Sequence, residues 1–286
     1  MTDKSQIKEM SSLIKTILLF TFLTLLLVFI GRLIGGTGGM LFFLFIATII
    51  NGISYFFSDK IALSMSHAQP IKESDDPKLF SIIRDLAQRA DMPMPRVYMT
   101  PDMQPNAFAT GRSPKHAAVA VTRGIMQILT YDELKGVLAH EMSHVRNRDV
   151  LIATIAAVLV GVISFIAQMA GFFGGGDREN SNPFAGLIML ILAPLGATLI
   201  QLAISRQREY QADASGAHLI HDPMELATAL QKIEYGVKTT PMDVNQSLSS
   251  LYIANPFSGN LISSLFSTHP PMDKRIERLR LMKGKV

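Results

Sequence analysis

The 286-residue sequence contains no cysteine. That removes disulfide scaffolds, cysteine-type zinc fingers, thiol catalysis and iron–sulfur clusters together. Charge is also scarce. Asp, Glu, Lys and Arg make up 17% of the residues, against about 25% in an ordinary soluble domain. Hydrophobic residues reach 48% and mean hydropathy is +0.27, which excludes an intrinsically disordered chain. The net charge of +4 is too small to point to nucleic acid, and none is expected as a partner.

The missing charge is missing in particular places. Long apolar runs cover 16–31 (extendable to 34 across Arg32), 38–57, 150–173 and 184–204. A bilayer core about 30 Å thick calls for roughly 20 apolar helical residues, so each run is a membrane-span candidate. Asn51 is the most polar residue of the second run, and Pro194 sits within the fourth. The first follows Lys4, Lys8 and Lys15 as a signal peptide does, but no Ala-x-Ala-like cleavage site succeeds it. It therefore reads as the first arm of a hairpin turning through Gly35, Gly36, Gly38 and Gly39. A second hairpin turns through 174–180. Basic residues cluster at Lys4, Lys8, Lys15, Lys60, Arg146, Arg148, Arg206 and Arg208, outside the two turns. The positive-inside bias then predicts both termini and the segments 58–149 and 206–286 on the cytoplasmic side. The basic residues near 146–148 and 206–208 are expected to meet anionic lipid head groups.

Those two segments are expected to form one α+β domain interrupted by the second hairpin. Asp76-Pro77 reads as an N-cap with proline at N1, opening a helix to about Ala90. Strands are expected at 96–100, 106–110 and 117–122, with a turn at 111–115. Thr130 with Glu133 is a capping box opening a helix to about Arg148. Asp222-Pro223 opens another to about Tyr235, and 271–282 is a terminal helix. The stretch 236–261 carries little pattern and reads as loop.

The capped helix holds His140-Glu141-Met142-Ser143-His144. Histidines four apart share one helical face, so both imidazoles reach one ion while the intervening Glu141 can act as general base. Gly and His are absent at 147 and 150, where Asn147 and Val150 stand, so the metzincin pattern fails. An intramembrane protease would bury the motif within a span and draw an Asp from Asn-Pro-Asp-Gly, which Asn182-Pro183-Phe184-Ala185 does not supply. A carboxylate on a second helix with an acid one turn later fits Glu209 and Asp213. Asp213 would accept the free ring N–H of a ligand His. His144 precedes the third run and Glu209 follows the fourth, so a hairpin between them returns both to one membrane face. His218 and His221 are the other candidates for third ligand.

Across nearly its whole length the sequence resembles the HtpX-type membrane metalloproteases, relatives of the prenyl-protein (CAAX) endopeptidases. The likeness rests on Asn106-Ala107-Phe108-Ala109-Thr110-Gly111, on His140 through His144 with Asn147-Arg148-Asp149, on residues 205–214, and on Ser267-Thr268-His269-Pro270-Pro271. It implies a zinc endopeptidase of the bacterial cytoplasmic membrane that acts on misfolded or damaged membrane proteins under stress. It also implies one Zn2+ on His140, His144 and Glu209, with Glu141 catalytic. The letters leave cobalt and manganese open beside zinc.

Further roles are expected at single residues. His269, or Tyr210, is a candidate oxyanion donor. Residues 106–110 are expected to be an exposed edge strand that pairs with an extended substrate, with Asn106 contacting its main chain. The competing class is a non-enzymatic membrane scaffold or chaperone, which has no use for a general base. A transporter lacks support, since no span carries an acidic or basic residue in its interior.

Overall fold

A computed structural model describes residues 2–147, 149–160, 206–239, 251–253 and 270–286. Helix α1 (Thr2–Met65) is a hairpin broken at Gly35 and Gly36. Gly36 has φ 58°, a left-handed conformation that costs glycine little. Its arms, Ile14–Leu33 and Gly35–Met65, are each long and apolar enough to cross a membrane. Asn51 Nδ2 donates to Thr24 Oγ1 at 2.8 Å and ties one arm to the other. Leu18, Leu25 and Phe45 are each 63% exposed, the reverse of a soluble core helix and the expected state of a lipid-facing surface. Helix α5 (Val150–Val160) begins where the third run begins. It packs Ile155, Ala156 and Leu159 against Leu19, Leu23 and Leu27 of the hairpin. The remainder of the third run, the turn at 174–180 and the fourth run lie outside the described residues.

Strands β1 (Gln69–Pro70), β2 (Arg96–Thr100), β3 (Ala107–Thr110) and β4 (Ala118–Thr122) form one mixed sheet in the order β1-β2-β4-β3. β2 and β4 run parallel, with Val97 opposite Val119, and β3 runs antiparallel to β4, with Ala109 also opposite Val119. β4 reads Ala-Val-Ala-Val-Thr because both its faces are buried. Alternation sends Val119 and Val121 into the helical core, and Ala118 and Ala120 toward Leu63, Ala157 and Tyr252. The sheet is thus a plate between the membrane helices and the soluble helices. The expected turn at 111–115 runs into a short 3-10 helix, Pro114–His116.

The soluble helices are α2 (Pro77–Arg89), α3 (Arg123–Ile128), α4 (Tyr131–Asn147), α6 (Arg206–Ile220), α7 (Pro223–Thr239) and α8 (Met272–Leu281). The end signals read from the letters act as expected. Asp76 Oδ1 accepts from Leu79 N–H at 3.0 Å. Thr130 N–H donates to Glu133 Oε2 at 2.8 Å while Glu133 N–H donates to Thr130 Oγ1 at 3.3 Å, the reciprocal box. α7 runs past Tyr235 to Thr239, because Ile233 and Val237 continue its apolar stripe into the core. Leu79, Ile83 and Leu86 are fully buried, each contributing about 1.5–3 kcal/mol of hydrophobic burial.

Candidate active site

α4 crosses the middle of the core, and its capped start fixes which face meets α6. His140 is 1% exposed and Glu141 5%. The Nε2 atoms of His140 and His144 lie 3.2 Å apart. Glu209, on α6, completes a triangle. Its Oε2 is 3.6 Å from His140 Nε2 and its Oε1 is 3.4 Å from His144 Nε2. Tetrahedral bonds of about 2.0–2.1 Å place ligand atoms roughly 3.3–3.4 Å apart, so the three side chains already have the spacing of a single small cation. Among the described residues, they are also the one group of His, Asp and Glu able to hold a metal ion.

Each histidine is oriented from behind. Asp213 Oδ1 is 2.9 Å from His140 Nδ1, which puts the proton on Nδ1 and leaves the Nε2 lone pair facing the triangle. Asp149 Oδ2 lies 3.5 Å from His144 Nδ1 and does the same on the other side, while Arg208 stands 3.9 Å from Asp149. Asp149 lies just beyond the end of α4, and its backbone N–H donates to the His144 carbonyl.

Arg275, on α8, is a site residue that the sequence reading does not single out. It is fully buried. Nε donates to Asp213 Oδ2 at 2.9 Å and Nη2 to Asp213 Oδ1 at 2.7 Å. A signal was present: residues 272, 275, 276 and 279 repeat at i, i+3, i+4 and i+7, so Arg275 occupies an apolar stripe. An arginine there must have a buried partner.

The charge balance also fits a cation. Buried Glu141, Glu209 and Asp213 face one buried guanidinium, a deficit of two positive charges that a divalent ion matches. Without an ion, protons respond to the same field. Burial pulls the His144 imidazolium down, but the Glu209 and Asp149 carboxylates overcome it and hold its pKa at about 10. At His140 burial again opposes the charge, and Asp213 and Glu209 again win, so its pKa is raised. Burial raises the Glu141 carboxyl against the pull of the two histidines. Burial would raise Asp213 too, but Arg275 dominates and brings it to about 2.

β3 forms the opposite wall. It is the sheet edge expected from the sequence, but it is buried, not exposed: Ala107 is 0% accessible and Ala109 5%. The reason is that α4 lies against its free edge, where Ala109 N–H donates to Glu141 Oε2 at 3.1 Å. Asn106 is buried as well. Its Oδ1 accepts from Ile253 N–H at 3.1 Å, and its Nδ2 has no hydrogen-bond partner among the described residues. Ile253 belongs to the stretch read as loop. The Tyr210 ring lies 3.7 Å under the Arg278 guanidinium. His218 and His221 are exposed and stand outside the triangle. His269 lies outside the described residues.

Gly216 lets α6 approach this closely. A Cβ there would come within 2.9 Å of the His140 backbone nitrogen. Gly216→Ala must push α6 away from α4 and widen the triangle. It is expected to weaken metal binding about 10-fold or more, the size of effect that misplaced ligand support produces. Metal titration followed by tryptic protection of the full chain checks this, and unchanged affinity would show that the helices tolerate the shift.

The profile described as peptidase family M48 matches residues 73–283. A protease HtpX homologue from Syntrophobacter fumaroxidans is 49% identical over 282 residues, covering 96% of this chain and all of the relative. Another, from Aquifex aeolicus, is 54% identical over 264 residues, covering 89% of this chain and 87% of the relative. The crystal structure of S. mikatae Ste24p aligns over 97% of this chain and 67% of its own, with a TM-score of 0.50 and 21% identity, a likeness of fold alone. With a His-His-Glu triangle, a membrane hairpin and whole-length relatives near half identity, the chain belongs to peptidase family M48, as a membrane-integrated protease of the HtpX type.

Proposed function

We propose that this protein is a zinc metalloendopeptidase of the bacterial cytoplasmic membrane that cuts misfolded or damaged membrane proteins under stress. In this reading four spans cross the bilayer, 1–57 and 150–205 each supplying a hairpin. Residues 58–149 and 206–286 make the protease domain on the cytoplasmic side. The observation that carries the reading is the triangle of His140, His144 and Glu209, with a general-base candidate beside it.

His140, His144 and Glu209 would hold one Zn2+. Bound there, the ion acts as a Lewis acid that polarises the scissile carbonyl and acidifies water. The chain's own groups do the rest. Glu141 follows His140 directly on α4 within the field of both histidines, and its burial raises its basicity toward that of a useful proton acceptor. It takes the proton of the attacking water and returns it to the leaving nitrogen as the C–N bond breaks. Asn106, whose Nδ2 has no hydrogen-bond partner among the described residues, is proposed to contact the main chain of an extended peptide. His269 is proposed to donate to the oxyanion, with Tyr210 as the alternative.

The test is turnover of casein by detergent-purified protein. Activity should disappear with chelator and return with one equivalent of zinc. Activity unaffected by complete metal removal would rule the mechanism out.

The histidine shifts give a pH dependence. The His144 pKa, raised from 6.5 to about 10, contributes stability to the metal-free protein that is complete below about 6.5 and lost as pH rises toward 10. Zinc must displace those protons. Added zinc is therefore expected to raise Tm more at pH 9 than at pH 7. An equal or smaller gain at pH 9, measured by differential scanning fluorimetry, would contradict the assignment of these histidines as ligands.

A further inference from the structure

We propose that Arg275 is a positioning residue that locks the metal ligands to the segment carrying Asn106 and β3, where substrate is proposed to bind; the inference rests on the reading of the site given above. The fork contact to Asp213 fixes both carboxylate oxygens at once. Asp213 Oδ1, thus held, is the atom that meets His140 Nδ1 at 2.9 Å. Arg275 Nη2 also stands 3.4 Å from each ring nitrogen of His140, so the guanidinium lies against the imidazole it helps to aim. Its Nη1 is 3.8 Å from Glu209 Oε2, the third corner of the triangle.

Nη1 also reaches a third chain segment. Nη1 donates to the Ile253 carbonyl at 2.9 Å, and the N–H of Ile253 donates to Asn106 Oδ1 at 3.1 Å. Asn106 in turn opens the edge strand, its N–H on Thr122 Oγ1 at 2.9 Å. One guanidinium therefore joins His140 and Asp213 to Ile253, Asn106 and β3 through contacts of ordinary hydrogen-bond length. A fully buried arginine is a costly way to neutralise one aspartate, since apolar packing replaces such a pair at no loss of stability in many folds. A planar group with five donors is what a junction of three chain segments requires, and lysine cannot reproduce it.

The experiment is a double-mutant cycle on zinc affinity in the full-length protein, with peptide kinetics at saturating zinc. Arg275→Gln is expected to raise the zinc Kd about 10–100-fold. Asp213→Asn should do likewise. The double variant should fall within about 3-fold of the weaker single, because Arg275 acts on the metal ligands through Asp213. At saturating zinc, Arg275→Gln should raise KM by a larger factor than it lowers kcat, since Ile253 and Asn106 lose their anchor. Arg275→Lys should recover thermal stability but not zinc affinity. A zinc Kd equal to wild type in Arg275→Gln and Arg275→Lys, with only Tm reduced, overturns the proposal, as does a double variant whose losses multiply. If Arg275→Gln does not fold, the zinc Kd of Arg275→Lys decides alone, wild-type affinity overturning the proposal and weakened affinity supporting it. A wild-type protein that fails to take up one zinc per chain would instead sink the functional reading.

Discussion

Glu141→Gln is expected to lower kcat by about 10²–10⁴-fold, the usual contribution of a positioned general base, while one metal ion per chain remains bound. The dissociation of the two readouts is the point. Glu141 lies outside the triangle of ligand atoms, so replacing its carboxylate with an amide leaves His140, His144 and Glu209 in place. The substitution is nearly isosteric, and the amide oxygen can still accept from Ala109 N–H, the hydrogen bond that Glu141 Oε2 makes with β3. What disappears is a group able to take a proton. Burial has raised the carboxyl's basicity, and no amide can substitute for it. Metal content by atomic absorption and casein turnover on the same sample check both halves. Full turnover in Glu141→Gln would remove Glu141 from the chemistry. A scaffold that merely holds exposed segments predicts no turnover in either protein and unchanged segment binding.

Glu209→Ala is expected to abolish both metal retention and turnover. Two imidazoles alone form a bidentate site, and the carboxylate also supplies one of the negative charges that attract a divalent ion. Removing it changes the local balance from three buried carboxylates to two. It also takes away the main field raising His144, so that imidazolium titrates at lower pH. After dialysis, metal content should fall from about one per chain to near zero, a loss on the scale of a removed ligand, well beyond the 10–100-fold of a lost supporting contact. Stoichiometric zinc in Glu209→Ala would mean another residue is the third ligand; His218 and His221 are exposed and stand outside the triangle.

Much of this site could be read before any fold was known, because its parts are local. Four-residue spacing puts His140 and His144 on one face of any α-helix, and the same spacing joins Glu209 to Asp213. Helix starts at Asp76, Thr130 and Asp222 were legible because capping is a contact between near neighbours. Arg275 and Ile253 were not legible as site residues. Their partners lie 62 and 147 positions away, Asp213 and Asn106 respectively, and no periodicity encodes such a pairing. The burial of β3 was misjudged for a related reason: alternation tells which residues share a face, but not what covers a sheet's edge.

The sequence by itself determined which segments are apolar enough to enter lipid, where the helices start, and which side chains are chemically able to bind a cation and move a proton. Those properties depend on composition and on contacts within a turn or two of chain. Only the tertiary structure decided that the two imidazoles and the distant carboxylate stand 3.2–3.6 Å apart. It alone placed a guanidinium from the last helix behind them and turned the free edge of β3 toward Glu141. Desolvating three carboxylates together is tolerable only when packing of α4, α6 and α8 brings compensating charge to the same point, and packing is a property of the whole chain.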